Sequence, residues 1–262
     1  SISAAGNRVA FDRNTQIYAW DPGSGVFGSN ISASGSRAII SPNGNLVAFF
    51  KAAASVQSAQ IGLWRLTNNA VSTITTSAGG LRGFSPDGGW ILIDGPSSIV
   101  LYNTTNSTLY TFPGLSSTPG QSQMSADGRF VAFVSTSPYD AADTNNSAPD
   151  VYLADRTTGQ SRLVSVNFTG IGSGDGPSQN PFISADGRYV GFRSTASNIV
   201  PGITNRVPQV YLRDINAGLT ILLMIGPSGG FSGEGSLFRP AMCLVGKTFV
   251  FLSGREGRGR SV

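Results

Sequence analysis

The stretch SADGRFVAF, residues 125–133, decides the reading of this chain. Its Asp-Gly pair tolerates the positive φ of a tight hairpin turn, and the apolar residues 130–134 that follow are β-branched, aromatic or small. A strand apolar at both alternating sets of positions is expected to be covered on both faces. The Asn-Gly and Asp-Gly pairs at 43–44, 87–88, 127–128 and 186–187 therefore read as type I′ turns, each joining two strands.

The phrase recurs. SAAGNRVAF starts at Ser3, SPNGNLVAF at Ser41, SPDGGWILI at Ser85, SADGRYVGF at Ser184 and a degenerate CLVGKTFVF at Cys243. With Ser125 included, the first residues lie 38, 44, 40, 59 and 59 apart. A period of ~40 residues is that of a four-stranded propeller blade, and the longer intervals read as the same blade with inserted loops. A further β-rich segment follows in each complete repeat: QIYAWD from Gln16, QIGLWRL from Gln60, SIVLYN from Ser98, DVYLAD from Asp150 and QVYLRD from Gln209. After each comes a turn rich in Asp, Asn, Thr or Gly and then another strand, as at 71–75, 108–112, 162–166 and 219–225.

The fold expected is all-β, a six-bladed β-propeller of four-stranded antiparallel blades in one domain over 1–262. The blades fall near 1–35, 36–79, 80–120, 121–179, 180–238 and 239–262, the last incomplete within this chain.

SADGRFVAFVS, DVYLADRTTG, PFISADGRYVGFRS and QVYLRDINAG together resemble the repeats of TolB-type propellers, and the likeness runs over essentially the whole chain. The resemblance implies a periplasmic or extracellular interaction module. Some propellers of this kind serve as accessory domains of peptidases, and no peptidase domain is recognisable here.

Composition narrows the chemistry. The chain is 40% hydrophobic and only 12% charged, with Gly 34 and Pro 14, which suits short strands and turns and leaves almost no helix expected. The single Cys243 rules out an intramolecular disulfide framework, and the absence of His removes the usual zinc sites and Ser-His or Cys-His nucleophile pairs. No apolar run approaches the ~18 residues of a membrane-spanning helix. The sequence starts directly in a repeat with no signal peptide, as expected of a mature or trimmed chain. Of the net charge of +4, only Lys51 and Lys247 are lysine contributions. The arginines are scattered except for Arg255, Arg258 and Arg260, so no nucleic-acid partner is expected.

The loop PYDAADTNNSAPD gathers Asp140, Asp143, Asn145 and Asp150, oxygen ligands of the kind Ca²⁺ takes, with one residue more than the related repeat loops and without the glycine and terminal glutamate of an EF-hand. Turn capping by the same side chains is the competing reading. The repeat-five counterpart GITNRVPQ has Ile203 and Gln209 at the corresponding places. Apart from Ca²⁺, no cofactor is indicated. Sequons at Asn30, Asn103, Asn106, Asn145 and Asn167 are glycosylation candidates. Asp87, Asp127 and Asp186 recur at one turn position, which points to a backbone role rather than an acid/base pair. Trp20, Trp64 and Trp90 with Tyr18, Tyr102, Tyr152 and Tyr211 read either as a sugar-stacking surface or as packing between blades.

The function expected is a non-enzymatic secreted module that binds a protein partner or copies of itself, with a homo-polymer completed through the open sixth blade as its most specific form. The alternative is a propeller that binds a carbohydrate or another ligand, with Ca²⁺ assisting.

Overall fold

The computed structural model describes residues 1–23, 26–51, 59–76, 79–95, 98–118, 120–144, 148–204, 206–223, 241–242 and 249–250; the side chains of 26–33, 59, 241–242 and 249–250 lie outside the description. Most of the CLVGKTFVF phrase, Glu234, Glu256, Asn145 and the arginine-rich tail also fall outside it. Among the described residues there is no helix, as the composition requires.

The chain divides into two compact units, Ser1–Val131 with Asp155–Gln160, and Ala132–Ala154 with Ser161–Val262. The first unit opens with β1 (Val9–Arg13), β2 (Gln16–Asp21), β3 (Val26–Ile40), β4 (Leu46–Lys51), β5 (Ala59–Arg65) and β6 (Ala70–Thr76), hydrogen-bonded in that order. The long β3 changes partner part-way: Ser34 pairs with Gln16 of β2, whereas Gly35 pairs with Lys51 of β4. One strand thus closes the first repeat and opens the second. A four-stranded sheet follows, formed by β7 (Gly80–Phe84), β8 (Trp90–Asp94), β9 (Ile99–Asn103) and β10 (Leu109–Thr111).

Repeat four contributes a four-stranded sheet of β11 (Ser122–Met124), β12 (Phe130–Ser135), β13 (Asp150–Asp155) and β14 (Ser161–Leu163). Repeat five follows the same pattern with β15 (Ser178–Ile183), β16 (Tyr189–Ser194), β17 (Gln209–Asp214) and β18 (Leu219–Leu222). A separate antiparallel pair, β19 (Ala241–Met242) and β20 (Phe249–Val250), lies in the last repeat.

The two apolar faces seen in the sequence have separate destinations. Along β4, Val47 and Phe49 join Ala10, Ile17 and Trp64 in one cluster, while Leu46 and Ala48 join Ile61, Ile91 and Ile93 in another. Successive side chains of a strand point to opposite faces, so the second repeat is packed between the first and third. Each such buried Val, Leu, Ile or Phe side chain contributes about 1.5–3 kcal/mol. Gly62 is required opposite Phe49, because a Cβ there would come within 2.1 Å of the ring.

The recurring turn differs from the type I′ form expected from its dipeptides. That form needs positive φ at both central residues, but here only the glycine has it, at 73° for Gly44, 77° for Gly88, 63° for Gly128 and 75° for Gly187. The reason lies in the side chains. Asp127 Oδ1 accepts from Ser125 Oγ at 2.7 Å and from Arg129 N at 3.0 Å, so the Asp is held as an Asx turn at ordinary φ. Ser125 Oγ in turn accepts from Phe130 N at 2.9 Å, and Gly128 N donates to Ser125 O at 3.1 Å. Ser41–Asn43, Ser85–Asp87 and Ser184–Asp186 form the same connection.

Candidate functional site

In the first unit the repeated turns lie against one another. Ala4 N donates to Pro42 O at 2.9 Å, Asp87 N lies 3.4 Å from Ala126 O, and Arg65 Nη2 donates to Thr104 O at 2.9 Å. Arg8 reaches across to Gly44 O and Asn45 Oδ1, both at 3.0 Å. Arg156 Nε donates to Gly128 O at 3.1 Å while its guanidinium sits 4.3 Å from the centre of the Trp90 ring. These contacts make a polar surface of turns tied to one another by hydrogen bonds. An open groove of about 390 Å³ runs between the turns of repeats two and three, lined by Asn43, Asn45, Arg65, Asp87, Thr104 and Thr105 among others.

An ion-pair rung repeats beside the turns. Arg8 pairs with Asp21 at 3.2 Å, Arg129 with Asp155 at 2.8 Å and Arg188 with Asp214 at 2.7 Å. The Arg129 guanidinium holds the Asp155 carboxyl below the usual carboxylate range, and Arg188 brings Asp214 down to about 2. The Ser184 hydroxyl, with the Arg188 N–H behind it, lowers Asp186. Burial pushes Asp175 up, but donation from Ser197 N and Oγ and the charge of Arg206 outweigh it and leave this carboxyl low.

The Ca²⁺ candidates have internal partners. Asp140 accepts from Ala142 N at 2.9 Å and Leu163 N at 2.8 Å, Asp143 accepts from the Tyr152 hydroxyl, and Asp150 accepts from Ser165 Oγ at 2.6 Å. Asn145 lies outside the described residues. Among the described residues no group of three His, Cys, Asp or Glu side chains is arranged to hold a metal ion. Burial and the Asp143 carboxylate raise the Tyr152 hydroxyl far above its ordinary value, so it stays a donor.

The sequons separate by geometry. Asn106 Oδ1 accepts from both Thr108 N and Oγ1 at 3.1 and 2.7 Å, and Asn167 treats Thr169 in the same way at 3.1 and 2.6 Å. Asn103 is half-buried and caps Thr105 N and Asn106 N. Asn30 lies in β3 with its side chain undescribed, and Asn145 is not described.

Of the aromatic candidates, Trp64, Tyr102, Tyr152 and Tyr211 are buried, and Tyr18 is half-buried against Phe11 with ring centres 5.3 Å apart. Trp20 and Trp90 are half-buried. The turn aspartates Asp87, Asp127 and Asp186 do the backbone work described above. A further cluster was missed in the sequence: buried Asp94 accepts from Ser117 Oγ and Ser122 Oγ, with Arg82 Nε 2.7 Å away as an ion pair. Arg65 was also missed, although the aligned third strands place it where other repeats carry Asp or Asn.

No family model matches the chain, and no curated protein matches it. Solved structures do. A putative TolB from Agrobacterium tumefaciens matches with a TM-score of 0.50 at 17% identity, covering 86% of this chain and 79% of that one. Porphyromonas gingivalis dipeptidyl peptidase 4 gives 0.57 at 14% identity, over 85% of this chain and 38% of that one. The tricorn protease gives 0.55 at 12% identity, over 79% of this chain and 20% of that one. The chain thus spans well under two thirds of the length of both proteases. These likenesses concern architecture alone. The chain has the β-propeller fold that TolB-type proteins share, with a four-stranded antiparallel sheet in each of repeats three, four and five.

Proposed function

We propose that this chain is a non-enzymatic interaction module that docks a protein partner, or further copies of itself, outside the cytoplasm. One observation carries the reading: every aspartate of the sequence is bound into the fold by a hydrogen bond or an ion pair. Asp87, Asp127 and Asp186 shape turns; Asp21, Asp155, Asp175 and Asp214 pair with arginines; Asp12, Asp94, Asp140, Asp143 and Asp150 tie backbone or hydroxyl groups. General acid/base work needs a carboxylate poised for substrate, and each of these aspartates already has a partner within the fold. The hydrogen-bonded surface of turns in the first unit supplies the docking platform. The low charge agrees with an extracellular or periplasmic setting. In the finer form of the proposal the protein is a subunit of an extracellular homo-polymer in which copies of the chain dock on one another.

Cross-linking in the native source followed by mass spectrometry, run beside a panel of peptide and glycan substrates, tests this. Reproducible cross-links from the turn surface to a partner or a second copy, without turnover, are expected. Turnover abolished by an aspartate substitution that leaves the fold intact would overturn the reading.

A further inference from the structure

The turn surface of the first unit contains one guanidinium that breaks the charge pattern of the repeats. The last residue of β2, β5, β9, β13 and β17, the third strand of each repeat when the Ile2–Val9 bridge is counted as the opening strand of repeat one, is Asp21, Arg65, Asn103, Asp155 and Asp214 in repeats one to five. Three of these are aspartates matched by an arginine at 2.7–3.2 Å. In repeat two the sign is reversed, and the residue that aligns with Arg129 and Arg188 is Asn45. Arg65 uses one N–H on Thr104 O, and among the described residues it has no carboxylate within ion-pair distance.

The neighbouring side chains also present donors. Asn43 Oδ1 is taken by Ser41 Oγ and Asn45 N, and Asn45 Oδ1 is taken by Arg8, which leaves both Nδ2 groups as donors in the groove wall. On the same lining, Asp87 commits Oδ1 to Ser85 Oγ and Gly89 N and keeps its second oxygen as an acceptor. A planar guanidinium with several free N–H groups matches a carboxylate in two-point contact. Donors grouped around it, with one acceptor facing them, suit a peptide, which offers a side-chain carboxylate, carbonyls and backbone N–H groups together. The lining contains no aromatic ring of the kind on which sugar faces stack.

We propose that this groove binds an acidic peptide segment, with Arg65 anchoring a Glu or Asp side chain. The site deepens the interaction role inferred above and rests on it. A single exposed ion pair is worth little, so affinity depends on the carboxylate and the peptide backbone engaging together.

The test is fluorescence anisotropy of a fluorescein-labelled hexaglutamate peptide with the full chain at about 50 mM salt, where screening is weak. Oligogalacturonate of equal charge is the competing polyanion, and R13A is a control for an exposed arginine outside the groove. Expected are saturable binding, a loss of about tenfold or more in R65A, no change in R13A and poor competition by oligogalacturonate. R65Q retains a donor for Thr104 O, and its expected loss of binding with an unchanged melting temperature separates charge from folding. Equal binding by R65Q and the unaltered chain, no binding of hexaglutamate, or preference for oligogalacturonate would each overturn the site. Cross-links to a partner from other surfaces would then leave the broader interaction role standing.

Discussion

Repeats four and five share a frame and differ in what fills it. Both have the Ser-Ala-Asp-Gly turn, an Arg–Asp rung at 2.8 or 2.7 Å and a tyrosine stacked on the phenylalanine of the adjacent strand, Tyr152 on Phe133 at 5.5 Å and Tyr211 on Phe192 at 5.6 Å. In repeat four the Tyr152 hydroxyl donates to Asp143, and Asp150 accepts from Ser165. In repeat five, Ile203 is buried where Asp143 would stand and Gln209 replaces Asp150. Among the described residues the Tyr211 hydroxyl and Gln209 Nε2 have no hydrogen-bond partner. Burial, with the Asp175 charge, still pushes the Tyr211 hydroxyl up to about 12, so it too stays protonated. The repeated backbone is therefore sustained by turn and rung, and the polar contacts of the inserted loops vary independently of it.

The comparison is broken most forcefully in repeat four. Asp143→Ala leaves a buried tyrosine hydroxyl without its acceptor, and the expected loss is about 1–3 kcal/mol in urea unfolding with an unchanged m-value. Next in size is the shared turn. Ser125→Ala and Ser184→Ala each remove the hydroxyl that links the Asp carboxylate to a backbone N–H, and each is expected to cost about 1 kcal/mol, alike in both repeats.

The rung gives a pH test. Asp214 is depressed to about 2, so its pairing stabilises the fold fully above the ordinary carboxylate pKa of ~3.9 and loses that effect as pH falls towards about 2. Asp214→Asn should flatten the stability profile between those limits and leave the profile near neutral pH parallel to that of the unaltered chain. The smallest effect is expected at Tyr211→Phe, which removes a buried hydroxyl with no partner among the described residues and should leave stability unchanged or raise it slightly. The same substitution at Tyr152 should destabilise, and melting curves of the two variants side by side show whether the repeats differ as described.

These contrasts show which features local sequence carries. The repeat was legible because Ser, Asp or Asn, and Gly recur at fixed offsets before an apolar strand, and those offsets are set by one turn. The turn type was misread because Asp-Gly alone does not show that the serine hydroxyl and the next N–H groups hold the Asp side chain. The rungs escaped notice because Arg8 and Asp21 are 13 residues apart, whereas Arg129 and Asp155, like Arg188 and Asp214, are 26 apart across an inserted loop. In the repeat-four loop the acidic spacing was visible. The Tyr152 and Ser165 hydroxyls that engage Asp143 and Asp150 lie 9 and 15 residues further along, beyond any motif window. Arg65 could have been found by aligning the ends of the third strands, where a reversal of charge is plain.

Electron microscopy of the protein isolated from its native source tests the interaction role most directly. The account predicts particles in which the turn surface of the first unit is covered by a partner or by another copy of the chain. Isolated particles with that surface bare, together with turnover of a peptide or glycan substrate, would contradict it.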